Sequence, residues 1–254
     1  MLFRSWFKPA GPTVGDWNPD DFPKEDVEIR TPDGLRLHGW YVEHARPSAV
    51  ILICHGSGGN LALEGGVLEK LYKVVGASVL IFDYRGYGKS EGAVESEAGF
   101  LADARAADEW LAKRAGVPAS EVVLIGRSLG TAVAVDLAST LGARALVLES
   151  GFPSLAAISA HHYWWAPIQR WTRFRFDSMS KIDEYRGPLL LSHSDADRVA
   201  PLQLVQQLYD RAPGPKEMLL FHGLTHFDAE PPEFYDALRD FLARHPAAGA
   251  SRSP

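Results

Sequence analysis

The stretch VVLIGRSLGTAVAVDLA, residues 122–138, places one serine between two glycines, with apolar residues on both sides. The apolar run before the serine predicts a buried strand, and the run after it predicts a helix. In such a turn, Gly126 and Gly130 leave room where a Cβ atom would collide, and Ser128 is held in strained backbone with its hydroxyl exposed above a sheet. The pattern indicates a nucleophile, although a serine that caps an ordinary helix is the alternative.

The stretch is one of several continuous apolar runs, which are typical of strands buried on both faces of a parallel sheet. They read AVILICHG, SVLIFDYR, EVVLIGRS, ARALVLES, PLLLSHSD and KEMLLFHG, and amphipathic segments separate them. Before them, DVEIRTPDGLRLHGWYVEH alternates apolar and polar residues around a tight turn at Asp33-Gly34, which predicts an antiparallel hairpin. We therefore expect an α/β fold with a mainly parallel, doubly wound sheet and an N-terminal antiparallel hairpin.

We expect residues 1–254 to form a single domain, with residues 246–254 as a frayed tail. Residues 153–187 form a long insertion rich in aromatic residues and arginine, which is typical of a lid or binding loop. Its aromatic residues either line a substrate pocket or pack the insertion onto the sheet. The pocket candidates are Tyr163, Trp164 and Trp165.

Composition excludes several classes of protein. The net charge of −6 argues against a nucleic-acid surface, which needs clustered lysine and arginine. No apolar stretch approaches the roughly 20 residues that cross a bilayer, and the N-terminus does not resemble a signal peptide. Cys54 is the only cysteine, so no internal disulfide can form, which fits the cytoplasm. Contact of the N-terminal LFRSWF with a membrane surface stays open.

A serine nucleophile needs a base, and His226 is the strongest of nine histidines. It stands in HGLTHFD, just beyond the last strand, and therefore at the sheet edge where Ser128 also lies. His161 and His162 in the insertion are the rivals. His222 and His226 are four positions apart, but this spacing in a strand does not make a metal pair, and no metal or cofactor is expected.

The base in turn needs a carboxylate that orients it. Asp197 lies in LLLSHSDADRVAP, after a predicted strand and before the proline that opens the next helix. Asp195 in the same loop and Glu149 at the end of ALVLES are the alternatives. Asp197 is favoured because the chain order serine, aspartate, histidine then matches the hydrolase template.

An oxyanion needs N–H donors, and the glycine-rich CHGSGGN, residues 54–60, follows the first parallel strand. The backbone N–H groups of Ser57 and Leu129 are the candidate donors. A glycine turn without a ligand is one alternative. A phosphate-binding loop is another alternative. The lysine of the G-x-x-x-x-G-K-[ST] pattern is missing, however, and so is the G-x-G-x-x-G spacing of dinucleotide-binding loops.

Taken together, these phrases resemble the α/β-hydrolases, in particular the small ABHD-type hydrolases and the bacterial proteins related to the fungal bud-emergence family. TPDGLRLHGWYV, FDYRGYGKSEG, LESGFPSL and FDSMSKI also carry the resemblance, which runs from about residue 25 to residue 244. It implies Ser128 as nucleophile, Asp197 as acid partner and His226 as base. The chain departs from the family at Ser57, where asparagine is usual, and at Ser194, where glycine is usual.

We therefore expect a serine hydrolase that cleaves a small-molecule or acyl-group ester or thioester through an acyl-enzyme on Ser128. A peptidase like the prolyl oligopeptidases is an alternative, although the propeller domain usual there does not fit in this length. A non-catalytic binding protein that keeps the fold is the other alternative.

Overall fold

The computed structural model describes residues 7–19, 21–163 and 174–248. In these ranges the strands are β1 (Lys8–Pro9), β2 (Lys24–Arg30), β3 (Arg36–Val42), β4 (Val50–Cys54), β5 (Gly58–Gly59), β6 (Ser78–Phe82), β7 (Val123–Arg127), β8 (Ala145–Glu149), β9 (Leu189–Ser194) and β10 (Lys216–Phe221). The α-helices are α1 (Gly65–Lys70), α2 (Glu97–Ala115), α3 (Leu129–Leu141), α4 (Leu155–His162), α5 (Leu202–Arg211) and α6 (Pro232–Arg244).

Eight of these strands form one sheet in the order β10-β9-β8-β7-β4-β6-β3-β2. The six strands predicted from continuous apolar runs all lie in this sheet and pair in parallel with one another. Strands β2 and β3 are antiparallel to each other, and β3 is antiparallel to β6. The predicted fold class, a mainly parallel sheet with an N-terminal antiparallel hairpin, is therefore confirmed.

The turn of the hairpin differs from the two-residue turn suggested by Asp33-Gly34. The last pair of the ladder is Arg30 with Arg36, so five residues connect the strands. Of that dipeptide only Gly34 takes a positive φ, of 88°. The hydroxyl of Thr31 donates to Asp33 and accepts the backbone N–H of Leu35, and these bonds shape a wider loop.

Side chains of each buried strand alternate between two apolar cores, one on each face of the sheet. Along β4, Leu52 belongs to the core shared with α2, α3 and α5, whereas Ile51 and Ile53 belong to the core shared with α1 and α6. Helices thus cover both faces, as parallel strands require. This leaves the carboxyl ends of the strands as the open edge at which loops can form a site.

Strand β10 is the exception to the expectation of strands buried on both faces. It lies at the edge of the sheet, its residues are only partly buried, and Leu220 is 41% exposed. An apolar run does not distinguish a central strand from an edge strand, because the difference depends on which neighbours the chain later supplies.

The structure describes the two ends of the insertion at residues 153–187. Helix α4 opens it, capped by the hydroxyl of Ser154, which accepts the N–H of Ala157. Towards its end, Phe176 is fully buried against Phe7 and Phe100, so here the aromatic residues pack the insertion onto the core. Its role as a lid stays a prediction.

Trp164 and Trp165 lie outside the described residues, as do residues 249–254 of the expected tail. Among the helices that the structure describes, none combines the length and apolar character needed to cross a bilayer.

Candidate active site

Ser128 occupies the sharp turn between β7 and α3. Its backbone has φ of 49° and ψ of −116°, a conformation that residues other than glycine rarely adopt. A Cβ atom on Gly126 would lie 2.6 Å from the Cα of Thr131, and one on Gly130 would overlap the carbonyl oxygen of Cys54. Only glycine at both positions allows this close approach of strand and helix, which holds the hydroxyl of Ser128 at the sheet edge.

His226 lies in the loop between β10 and α6, and its imidazole reaches Ser128. The Nε2 atom of the ring is 2.8 Å from the Oγ of Ser128, and the histidine is only 8% exposed. On the other side of the ring, Nδ1 is 2.8 Å from the Oδ2 of Asp197. Because a carboxylate accepts, this contact places the ring proton on Nδ1 and leaves Nε2 able to accept the serine proton.

Asp197 is buried in the loop between β9 and α5. Its second oxygen, Oδ1, accepts the backbone N–H groups of Val199 at 2.8 Å and Ala200 at 2.9 Å. Burial by itself raises the pKa of Asp197, but the hydrogen bonds and charge of its partners, His226 foremost, outweigh it and hold the pKa below the usual range. The carboxylate is therefore kept ionised, the state that orients and stabilises an imidazolium.

The two alternative acids lie elsewhere. The carboxylate of Asp195 accepts from Nδ1 of His222 at 2.7 Å and from the N–H of Gly223, at the exposed end of the loop. Glu149 is fully buried at the end of β8, where its backbone oxygen accepts the N–H of Ser128. Burial, and then repulsion by Glu230, raises its pKa well above the usual range. Of the three acids, Asp197 is the one in contact with the His226 ring.

The alternative bases are also separated from the serine. Nε2 of His162 lies 2.9 Å from the carbonyl oxygen of Val199, and the ring of His161 packs against that of His162. Neither lines the cavity around Ser128.

Ser57 and Leu129 both line the same cavity, and the backbone N–H of neither donates to an acceptor in the described part of the chain. The carbonyl oxygen of Ser57 accepts the N–H of Lys8 at 2.9 Å and the hydroxyl of Tyr87 at 3.0 Å, which fixes the loop. Free N–H groups held in this way are the arrangement that an oxyanion needs.

The cavity beside Ser128 has a volume of about 600 Å³ and was not predicted from the sequence. Its apolar wall belongs to the core on the α2, α3 and α5 face and includes Phe152, Leu155 and Ile158. Four polar side chains of the lining lie close enough to interact electrostatically with one another, and we call this group the polar end. They are Glu64, Lys70, Arg127 and Tyr235.

Tyr163, a candidate pocket residue, is 37% exposed and is not among the residues that line this cavity. The sequence stretches GFPSL and DADRVAP follow predicted strands and contain Phe152, Leu155 and Val199. Nothing in the sequence shows that these three side chains line one cavity.

The loop that carries His226 is anchored by contacts that the sequence did not predict. Arg127 donates to the carbonyl oxygen of Asp228 at 2.8 Å, and Ser192 donates to the carboxyl group of Glu230 at 2.9 Å. Burial raises the pKa of Glu230 as well. The buried carboxyl of Glu149 and the partly buried carboxyl of Glu230 thus both favour the protonated state.

A metal site finds no support in the described part of the chain, where no group of three or more histidine, cysteine, aspartate or glutamate side chains is placed to hold an ion. His222, four positions before His226, pairs with Asp195.

A comparison with protein families matches residues 49–180 to a model described as the alpha/beta hydrolase fold. The protein Rv2307c of Mycobacterium tuberculosis is 38% identical over 229 residues, which cover 88% of this chain and 81% of the relative. The lysophosphatidylserine lipase ABHD12 of Danio rerio is 34% identical over 241 residues, covering 82% of this chain and 62% of the relative.

Among solved structures, the esterase Pf2001 of Pyrococcus furiosus superimposes with a TM-score of 0.75 at 25% identity, covering 94% of this chain and 99% of that one.

Proposed function

The chain belongs to the α/β-hydrolase fold family, and on that premise we propose that it is a serine hydrolase that cleaves carboxylic esters or thioesters. One observation carries the proposal: His226 lies 2.8 Å from the Ser128 hydroxyl and 2.8 Å from the Asp197 carboxylate. A hydroxyl becomes a strong nucleophile when a positioned base takes its proton, and this arrangement provides the base and its orienting acid.

In the first step, Oγ of Ser128 attacks the carbonyl carbon of the substrate while Nε2 of His226 takes the hydroxyl proton. Asp197 stabilises the imidazolium that forms. The N–H groups of Ser57 and Leu129 donate to the oxyanion, and each such donor contributes about 2.7–4 kcal/mol in comparable sites.

In the second step, the tetrahedral intermediate collapses, and the alcohol or thiol leaves with the proton that His226 returns to it. The acyl group now forms an ester with Ser128. Water attacks this acyl-enzyme, with His226 again as the base, and the acid is released as the free serine forms.

The choice of esters and thioesters is supported by the cavity and by the relatives. The wall formed by Phe152, Leu155 and Ile158 is apolar and suits an acyl chain. The similar proteins include one named an esterase and one named a lipase. A cytoplasmic setting belongs to the same proposal, because the single cysteine, Cys54, is buried and cannot form an internal disulfide.

The test is a panel of p-nitrophenyl esters and acyl thioesters whose acyl chains increase from short to long. We expect the protein to turn over the esters, the thioesters or both. The rate should depend on the length of the acyl chain, because the apolar wall has a limited extent. Absence of turnover across the panel would contradict it. Turnover confined to peptide substrates would favour the peptidase alternative.

A further inference from the structure

Glu64 is a carboxyl group in the cavity to which the proposed mechanism assigns no role. It precedes α1, is partly buried and lines the cavity. Its side chain makes no capping hydrogen bond to α1 and no hydrogen bond or ion pair with the residues that the structure describes. Burial raises the pKa of this carboxyl, and the charge of Arg127 offsets only part of that rise. A partly buried carboxyl without a partner is costly unless something else pairs with it.

The rest of the polar end has a similar unused capacity. Tyr235 is almost fully buried, and its hydroxyl has no hydrogen-bond partner among the described residues. The ammonium of Lys70 lies 5.0 Å from the centre of the Tyr235 ring. One guanidinium nitrogen of Arg127 donates to the carbonyl oxygen of Asp228. The polar end therefore offers one acceptor and several donors to a bound molecule.

The apolar wall and the polar end differ in which part of a substrate they can bind. An acyl chain in the polar end would leave Glu64 and Tyr235 buried without partners, whereas the apolar wall cannot pair with a hydroxyl. The chain therefore suits the apolar wall, and the alcohol portion of an ester suits the polar end. With two cations and one carboxylate, the polar end favours a neutral hydroxyl over an ammonium, which Lys70 and Arg127 would repel.

Resting on the proposed ester hydrolysis, we propose that Glu64 is a specificity-determining residue that accepts a hydrogen bond from a free hydroxyl on the alcohol portion of the substrate. The substrates are then esters of diols or polyols, and esters of plain alkanols are poor substrates. A site built to bond a hydroxyl discriminates strongly against the analogue that lacks it, because the polar groups of the protein are then left unpaired.

The experiment compares three hexanoate esters on the purified full chain, with the released acid followed by pH-stat titration. The alcohols are 2-hydroxyethyl, propyl, in which a methyl replaces the hydroxyl, and 2-(dimethylamino)ethyl, which carries a protonated amine. We expect kcat/KM for the hydroxyethyl ester to exceed that for the propyl ester by about tenfold to a hundredfold, the range of a hydrogen bond to a charged group.

In Glu64→Leu this ratio should fall to near one while the propyl ester is still cleaved, which also shows that the variant is folded. Glu64→Gln, whose amide oxygen still accepts, should keep part of the preference and serves if the leucine variant does not fold. The matched control is Glu69→Gln in α1, the helix that follows Glu64, where Glu69 pairs with Lys73 at 2.8 Å. It should keep the ratio of the unaltered protein.

A ratio near one in the unaltered protein, or one that persists in Glu64→Leu, would overturn the inference and leave ester hydrolysis intact. A preference for the dimethylaminoethyl ester that depends on Glu64 would also overturn it, since the recognised donor would be an ammonium. If none of the esters is cleaved, or if Ser128→Ala cleaves them equally well, the proposed function fails and the inference fails with it.

Discussion

The Nε2 atom of His226 lies 2.8 Å from the Oγ atom of Ser128, although 98 positions separate the two residues in the chain. The serine is fixed by the strained turn after β7, and the histidine by a loop after β10, at the far edge of the sheet. Arg127, next to the serine, bonds the carbonyl of Asp228 in the histidine loop. The hydrogen bond between Arg127 and Asp228 therefore links the turn that carries Ser128 directly to the loop that carries His226.

Exchange of the acid should reduce turnover without unfolding the protein. In Asp197→Asn the imidazole loses the acceptor that sets its tautomer, and we expect kcat for a short p-nitrophenyl ester to fall by about 10⁴-fold. The matched control is Asp195→Asn. Asp195 lies two positions before Asp197 in the same loop but pairs with the exposed His222 instead of His226. Steady-state kinetics on both variants provide the measurement. A larger loss in Asp195→Asn than in Asp197→Asn would contradict the assignment of the acid.

The glycine after the serine should tolerate no side chain. A Cβ atom on Gly130 would overlap the carbonyl oxygen of Cys54, so Gly130→Ala should lower the free energy of unfolding by about 3 kcal/mol or more. Gly11→Ala is the control, because a Cβ atom there meets nothing within 4 Å. Urea denaturation of both variants measures the difference. Equal stability of the two would show that strand and helix are not packed as described.

The raised pKa values of Glu149 and Glu230 should make the protein less stable as the pH rises. Folding raises both pKa values, so the folded protein retains a proton that the unfolded chain releases. This contribution is complete below the ordinary glutamate pKa of about 4.3 and is lost as the pH rises through the raised value. Glu149→Gln should therefore flatten the decline and raise Tm at alkaline pH relative to the unaltered protein.

The measurement is Tm across a pH series, with the exposed Glu95→Gln as control. Part of the slope should remain in Glu149→Gln, because burial also raises the pKa of Asp83 and of Asp108 to about 7. A Tm profile of Glu149→Gln that coincides with that of Glu95→Gln would argue against a raised pKa of Glu149.

Filling the apolar wall should change the preferred acyl chain. Leu155 is 5% exposed and lines the cavity, so Leu155→Trp should shift the optimum of the p-nitrophenyl ester series towards shorter chains. Leu220→Trp on the exposed edge of β10 should leave the optimum where it was. An unchanged optimum in Leu155→Trp would place the acyl chain elsewhere.

The arrangement of the strands could be predicted from the sequence because a buried parallel strand needs a continuous apolar run, and a G-x-S-x-G turn needs its two glycines. The rule that ligands bind at carboxyl ends of strands then brought Ser128, Asp197 and His226 to one edge. Among the three acids the sequence favoured Asp197 by chain order, but it did not show how their surroundings differ. Their difference lies in depth: Asp195 is exposed, Glu149 is buried beside another carboxyl, and Asp197 alone faces the imidazole.

The polar end of the cavity and the anchors of the histidine loop could not be predicted in this way. Glu64 and Tyr235 lie 171 positions apart and line one cavity because α1 and α6 cover the same face of the sheet. Ser192 in β9 and Glu230 in the loop before α6 are likewise joined by a hydrogen bond between residues 38 positions apart. Such contacts depend on tertiary packing and leave no local pattern. The edge position of β10 was missed for the same reason.

A fluorophosphonate probe reacts with activated serines. Labelling with this probe therefore tests whether Ser128 is an activated nucleophile. The control variant is Ser139→Ala, on the helix that follows Ser128. We predict that the unaltered protein and Ser139→Ala are labelled and that Ser128→Ala is not. Labelling that persists in Ser128→Ala would contradict the assignment of the nucleophile, and no labelling of the unaltered protein would favour a non-catalytic binding protein.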